Sequence, residues 1–464
     1  MQKYMNPQLL KIFGCGVLFL SFFYLVSSPP KRIILADGFS SLVLGELWKK
    51  EPGAISVPNV KRFQEHHFRI LKKRMTIRLE KMPIPKELQS EKKRQTTIQA
   101  ANLSFVPGKS QHYYLPQSLN LNIVFALLYA LGVEHLYHVL VVLFLLICFL
   151  KVLPVHYFRG HWMLVMTLII FNPLFLFYSY HSASLDIANM LIVCFLVALF
   201  LNIWHSLSLE SKSKKSILLP SIIFGCGNAV SLWGNPLNIC LTIFMMCGFL
   251  MHPQREAKTA RTVLMMVLIS YSLSLIVFGL ALIAAVGSGK PVLMCHPLFE
   301  NFSSWFSDHS GMTGVVILST LTTNLYLILR AIVLSFPLLL PAFFGFFSFP
   351  LREPIFRLMG GIFCILLVPN FFITDLEFSH YLLTGRLLLP LLPVLAILAT
   401  HWLSQRALGE RVCYTAFIIL IGFASYAFFM ARLRIDLFDL GLLEALDKNF
   451  TRIYLVHQYT DLFP

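Results

Sequence analysis

Apolar runs of about 18 residues or more recur along this chain, and they limit its fold more than any other feature. Inside a bilayer no water satisfies backbone N–H and C=O groups, so only helices or a closed barrel can cross it. The runs are Leu and Phe blocks mixed with β-branched residues, without the period-2 alternation of a lipid-facing barrel. Of the 464 residues, 57% are hydrophobic and only 13% charged, more apolar surface than a soluble fold of this length could cover. The predicted class is an all-α polytopic membrane protein.

About eleven spans are predicted, near 9–27, 136–155, 161–180, 183–205, 217–233, 236–252, 262–286, 330–349, 357–374, 387–405 and 412–431. Two further apolar segments, 118–133 and 313–327, are short or interrupted and read as re-entrant or interfacial helices. Residues 1–27 read as a retained signal-anchor. Lys3 and Lys11 precede or open its apolar stretch, and Ser27-Ser28-Pro29-Pro30-Lys31-Arg32 makes a poor cleavage site. Residues 28–118 then form a large loop, 119–431 a multi-span domain, and 432–464 a tail.

Charge sets the predicted orientation. One set of short connections holds Lys151, Arg159, Lys212, Lys214, Lys215, Arg255, Lys258, Arg261, Arg352, Arg357, Arg406 and Arg411. The opposite set holds only Lys290 and Arg386. The positive-inside rule places the first set, and the N-terminus, in the cytoplasm. The 28–118 loop then lies outside although it holds 17 Lys and Arg against seven Asp and Glu, because long loops translocate largely regardless of charge.

Within that loop Phe68, Leu71, Met75, Leu79 and Met82 recur at helical steps, with Arg69, Lys72, Lys73, Arg74, Arg78 and Lys81 on the other faces. Pro83 and Pro85 end the pattern. Such a basic amphipathic helix can lie in the headgroup plane and attract anionic lipid, or it can be a solvated face that aids solubility. The charge is read as a lipid partner's, with no nucleic acid expected.

Few residues carry chemistry. Asp37, just past the first span, either caps a helix starting near Phe39 or serves as a general base at the membrane face. Tyr114 and Gln117, in Gln111-His112-Tyr113-Tyr114-Leu115-Pro116-Gln117, are interfacial anchors or a stacking surface for a sugar. Asp186, at the outer end of the fourth span, faces either a cavity or a structural partner. Arg386, in Thr384-Gly385-Arg386, suits phosphate through its planar fork or snorkels at the interface; His380 and Tyr381 lie just upstream. Arg330 is a similar residue near a span end. Asn228, Trp233, Asn235 and Asn238 gather around a predicted outer turn. His296, Asp308 and His309 match no metal template. Eight of nine cysteines fall in spans and none forms a CxxC pair, so no disulfide framework or zinc site is indicated. No Walker A, GxGxxG, GxSxG or HExxH motif occurs.

Four stretches, in order, resemble a family of bacterial membrane proteins catalogued as domain-of-unknown-function family 2142. Tyr113-Tyr114-Leu115-Pro116-Gln117 is similar to its YLPQ motif. Asn172-Pro173 through Ser184-Leu185-Asp186 is similar to its "P…S.D" stretch. Thr384-Gly385-Arg386-Leu387-Leu388-Leu389-Pro390-Leu391-Leu392-Pro393 is similar to its QGRYLLPLLP segment. Asp37 stands where that family carries an acidic pair followed by His. Here Gly38 follows Asp37, and Asn235 stands where the family has a Lys. The family resembles the GT-C membrane glycosyltransferases. The resemblance implies a GT-C-like fold and transfer of a sugar from a polyprenyl-phosphate donor to an envelope glycan or lipid acceptor. It further implies the outer side of the bacterial cytoplasmic membrane, Asp37 as base, Arg386 as phosphate ligand and Asp186 in the pocket. Lys72 and Arg74 would add positive charge at the leaving phosphate. No particular cofactor is indicated; if a divalent metal takes part, Asp37 and Asp186 are the acidic ligands available. A flippase of lipid-linked glycans and a non-catalytic lipid-binding scaffold are the alternatives from other classes.

Overall fold

A computed structural model describes residues 48–49, 56–58, 106–107, 112–114, 123–133, 136–153, 161–181, 185–208, 214–234, 238–250, 252, 258–286, 314–348, 354–367 and 388–439. Helices dominate. They are α1 (Ile123–Ala130), α2 (Tyr137–Ile147), α3 (Trp162–Ile170), α4 (Pro173–Leu176), α5 (Leu185–Ser208), α6 (Lys214–Gly234) and α7 (Asn238–Leu250). After them come α8 (Lys258–Val286), α9 (Gly314–Ser335), α10 (Leu339–Ser348), α11 (Pro354–Leu367), α12 (Leu392–Ser404) and α13 (Leu408–Asp439). π-Helical turns extend α2 over Cys148–Val152 and α4 over Phe177–His181, and a 3-10 turn, Leu389–Leu391, leads into α12.

The helical class expected from the sequence holds for the bundle, and the first loop adds a small sheet to it. Ser56–Pro58 (β1), Val106–Pro107 (β2) and His112–Tyr114 (β3) form a small antiparallel sheet in the order β1-β3-β2. Tyr114 is in its middle strand, in register with Ser56 on one side and Val106 on the other. The loop also touches the helices: the Lys49 ammonium lies 4.3 Å from the ring centroid of Tyr129 on α1, a cation–π contact.

Among the described residues three helices are long and apolar enough to cross a membrane, Asp186–Leu207, Ala260–Leu280 and Leu408–Ala427. A fourth candidate is the bent pair Trp162–Ile170 and Pro173–Ser179. The outward face of α8 shows why these belong in an apolar medium. Met265, Leu268, Ile269, Leu273, Ile276, Val277 and Leu280 are all exposed at helical spacing. Covering each by lipid would gain part of the roughly 1.5–3 kcal/mol that full burial of such a side chain gives. The 21 residues Ala260–Leu280, rising about 1.5 Å each, match a hydrocarbon core of about 30 Å.

Packing is closest where glycines remove a side chain. A Cβ on Gly225 of α6 would collide with Ser270 and Val267 of α8, and one on Gly345 of α10 would collide with the Leu398 backbone of α12. Small residues of this kind let apolar helices associate where lipid supplies no hydrophobic drive. Helix α12 sits deepest, with every residue from Leu388 to His401 buried.

Two helix breaks meet inside the bundle. The predicted 161–180 span bends by 65° between α3 and α4. Asn172 caps the second piece: its Oδ1 accepts from the backbone N–H groups of Leu174 (3.0 Å) and Phe175 (3.4 Å), and Pro173 takes the first helical position. The Asn172 amide nitrogen donates to the Ser335 carbonyl at 3.1 Å, where α9 ends before Pro337. Gly422 of α13 packs between the breaks, its Cβ position lying 2.8 Å from the Phe171 carbonyl and 3.8 Å from both Pro173 and Pro337. Irregular backbone at membrane depth is tolerated only where protein or a cavity satisfies it, and here protein does. The span predicted at 330–349 is therefore split at Phe336-Pro337, and the segment expected to be short at 313–327 belongs to the continuous helix α9.

Contacts across the bundle sort the connections into two ends. Asn189 at the start of α5 bonds to Asn238 at the start of α7. At the opposite end, Trp204 of α5 meets His252 edge to face at 4.5 Å. Arg411 of α13 reaches His161 before α3 at 3.4 Å. His252 and Arg411, with His161, thus belong to connections that the charge count placed together.

Candidate functional site

The end of the bundle that carries Asp186 holds an inter-helix layer of buried neutral polar groups. Asn189 lies one turn after Asp186 on α5, so both project from the same side of the helix. Asn238 donates from its amide nitrogen to Asn189 Oδ1 at 2.8 Å and to Ser231 Oγ at 2.6 Å, with the Ser231 carbonyl at 3.4 Å. One turn along α7, Thr242 donates to Asn228 Oδ1 at 2.9 Å, and Asn228 donates to the Phe224 carbonyl at 2.7 Å. Five side chains from three helices, Asn189, Asn228, Ser231, Asn238 and Thr242, are buried together. An amide in an apolar medium costs on the order of 1–3 kcal/mol if unbonded, which is why these groups meet each other.

A second polar pair lies close by. Three residues join His181, the last of the α4 extension, to α5, so Ser179 and Asp186 share this end of the bundle. Ser179 gives its hydroxyl hydrogen to the Phe175 carbonyl at 2.6 Å, and its oxygen lies 2.9 Å from His138 Nδ1. With that hydrogen spent, His138 Nδ1 must be the donor, which fixes the imidazole tautomer.

Asp186 is partly buried in the first turn of α5, where a carboxylate favours the positive helix end. Tyr114 has a place in the small sheet. Asp37, Lys72, Arg74, Gln117, His380 and Arg386 lie outside the described residues, as do Asn235, His296, Asp308 and His309. The structure therefore places Asp186 one turn from Asn189 of the polar layer. Of the expected turn cluster, Asn228 and Asn238 are part of the layer. Arg330 sits within α9, five residues before the break at Ser335.

Other residues carry weight that the sequence reading did not assign. Asn189 was visible only as an Asn in the Asp186 segment, and His138 and Ser179 carried no motif. Their partners are 49 and 41 residues away in the chain. Among the described residues no group of three or more His, Cys, Asp or Glu could hold a metal ion. Deeper in the bundle, Phe149, Val193, Val197, Pro390, Pro393 and Ile397 help line a small apolar crevice without convergent polar groups.

The chain is a largely helical protein with features that suit a membrane. Comparison with protein-family models, curated proteins and solved structures finds no match to any of them.

Proposed function

We propose that this is a multi-pass, GT-C-like membrane glycosyltransferase of about eleven spans. It would transfer a sugar from a polyprenyl-phosphate donor to an envelope glycan or lipid acceptor on the outer side of a bacterial cytoplasmic membrane. The observation that carries the reading is the gathering of buried amide and hydroxyl groups beside Asp186, at the end opposite the Arg411 connection. The charge asymmetry of the connections makes that end the outer one.

In this reading Asp37 takes the proton from the acceptor hydroxyl as that oxygen attacks the anomeric carbon, and the bond to the donor phosphate breaks. Arg386, Lys72 and Arg74 stabilise the negative charge growing on the departing phosphate. Asp186 lies in the pocket wall. The Asp37-Gly38 sequence offers one carboxylate where the resembled family has two. A single base suffices for this proton transfer.

Asp37→Asn keeps the shape of the side chain and removes the base. The expected outcome is loss of sugar transfer by at least about 100-fold, the lower range for a general base, with an unchanged melting temperature. Normal transfer by that variant removes Asp37 from the mechanism. The flippase alternative draws on the two helix breaks, since discontinuous helices often frame transport sites. Movement of a lipid-linked glycan across vesicles containing only this protein, without transfer, would favour it.

A further inference from the structure

We infer that Asn189, Ser231 and Asn238 form a subsite for the vicinal hydroxyls of a sugar; this rests on the donor reading above and names the part of the donor recognised. The Asn238 amide nitrogen has two hydrogens, and Asn189 Oδ1 at 2.8 Å and Ser231 Oγ at 2.6 Å take them up. Three functions of the trio are left over: the Asn189 amide nitrogen, the Asn238 amide oxygen and the Ser231 hydroxyl hydrogen. Among the described residues nothing bonds to them. The trio thus offers donors and an acceptor side by side, at the end of α5 that carries Asp186.

That mixture selects the ligand chemistry. A sugar hydroxyl both donates and accepts, so two neighbouring hydroxyls can satisfy such a set. A phosphate only accepts, and the Asn238 oxygen would oppose it. No Lys or Arg among the described residues bonds to the trio, so it lacks the cations that phosphate sites use. The polyprenyl phosphate must be held elsewhere, by residues such as Arg386 in the proposed mechanism. The sugar would rest against α5, α6 and α7. A purely structural role, gluing helices, would instead leave the trio indifferent to any ligand.

The test uses the full chain in nanodiscs and two radiolabelled probes, polyprenyl phosphate carrying one hexose and bare polyprenyl phosphate. The wild type is expected to bind the hexose form about tenfold more tightly, a modest gain for a few neutral hydrogen bonds. Asn189→Ala leaves Asn238 bonded to Ser231, and Ser231→Ala leaves it bonded to Asn189, so neither removes the whole network. Each is expected to cut the preference to about twofold or less while binding of the bare lipid is unchanged. Retention of the full preference in both folded variants overturns the subsite and spares the donor reading. Equal wild-type binding of the two probes does the same. Failure of the wild type to bind either probe overturns both.

Discussion

The two ends of the bundle solve the same problem, buried polar atoms, in opposite ways. At the Asp186 end, neutral side chains from three helices bond to one another and leave hydrogen-bonding capacity in hand. At the other end a single cation spends itself on backbone. Arg411 donates from Nε to the Leu403 carbonyl at 3.1 Å, and from Nη2 to those of Ser404 (2.9 Å) and Arg406 (3.1 Å). Its Nη1 faces His161 Nε2 at 3.4 Å, which must accept, since arginine has no acceptor. The carbonyls of a helix C-terminus have no partners inside the helix and carry partial negative charge, so this guanidinium caps α12 and ties it to α13 and α3. Nearby Arg406 lies 4.6 Å from the Trp402 ring, which stacks on Phe344. The contrast teaches where to look for chemistry: a cation committed to backbone carbonyls holds the fold, and neutral side chains with hydrogen-bonding capacity in hand can hold a ligand.

The sharpest way to break this contrast is at Asp37 and the trio, where large losses of transfer or of sugar preference are expected with little change in stability. Arg411 should behave in the reverse manner. Arg411→Ala removes three charge-assisted bonds to carbonyls and is expected to destabilise by about 2–4 kcal/mol, discounted for its partial exposure. Arg411→Lys should recover part of this, because one ammonium cannot span the same carbonyls. Melting temperature and chemical denaturation in detergent would measure both. A loss of transfer per folded molecule in Arg411→Ala would contradict the division between the ends.

Between the ends, the paired helix breaks give an intermediate case. Asn172→Ala removes a cap and the bond to the Ser335 carbonyl together. The expected cost is about 2 kcal/mol, from roughly 1 for the cap and about 1 for the bond. Asn172→Asp keeps the capping acceptor and loses the donor, so it should separate the two. If Asn172→Ala melts like the wild type, the breaks do not depend on each other.

These elements differ in how far the sequence disclosed them. The apolar runs marked most helices because hydropathy over a long window reports burial in lipid directly. The breaks stayed hidden. Asn172-Pro173 and Phe336-Pro337 interrupt the backbone without lowering hydropathy, so spans were drawn straight through them. Asn228 and Asn238 were legible as a turn cluster. Their union with Asn189 was not, because it depends on packing between helices far apart in sequence. Arg411 appeared only as one cation in a charge count, and its capping role requires knowing where α12 ends.

The smallest expected effect concerns pH at the Arg411 end. His252 is buried after α7, against Trp204. Burial lowers its pKa from the ordinary 6.5, and the bond to the Trp204 backbone only partly offsets this. In the unfolded chain the imidazole titrates near its ordinary value, so the unfolded state takes up the proton first as pH falls. The neutral form is the one the fold prefers. Its stabilising contribution is therefore complete above the ordinary histidine range and is lost as pH falls through the lower folded value. Melting temperature should decline on acidification from about pH 7 towards 5, and His252→Gln should flatten that part of the profile. Sugar preference at the Asp186 end should follow neither change, since the trio has no group that titrates there. If acidification instead weakened sugar preference in step with melting, and His252→Gln abolished both effects, the two ends would be coupled through α5. The separation drawn here between a holding end and a binding end would then fail.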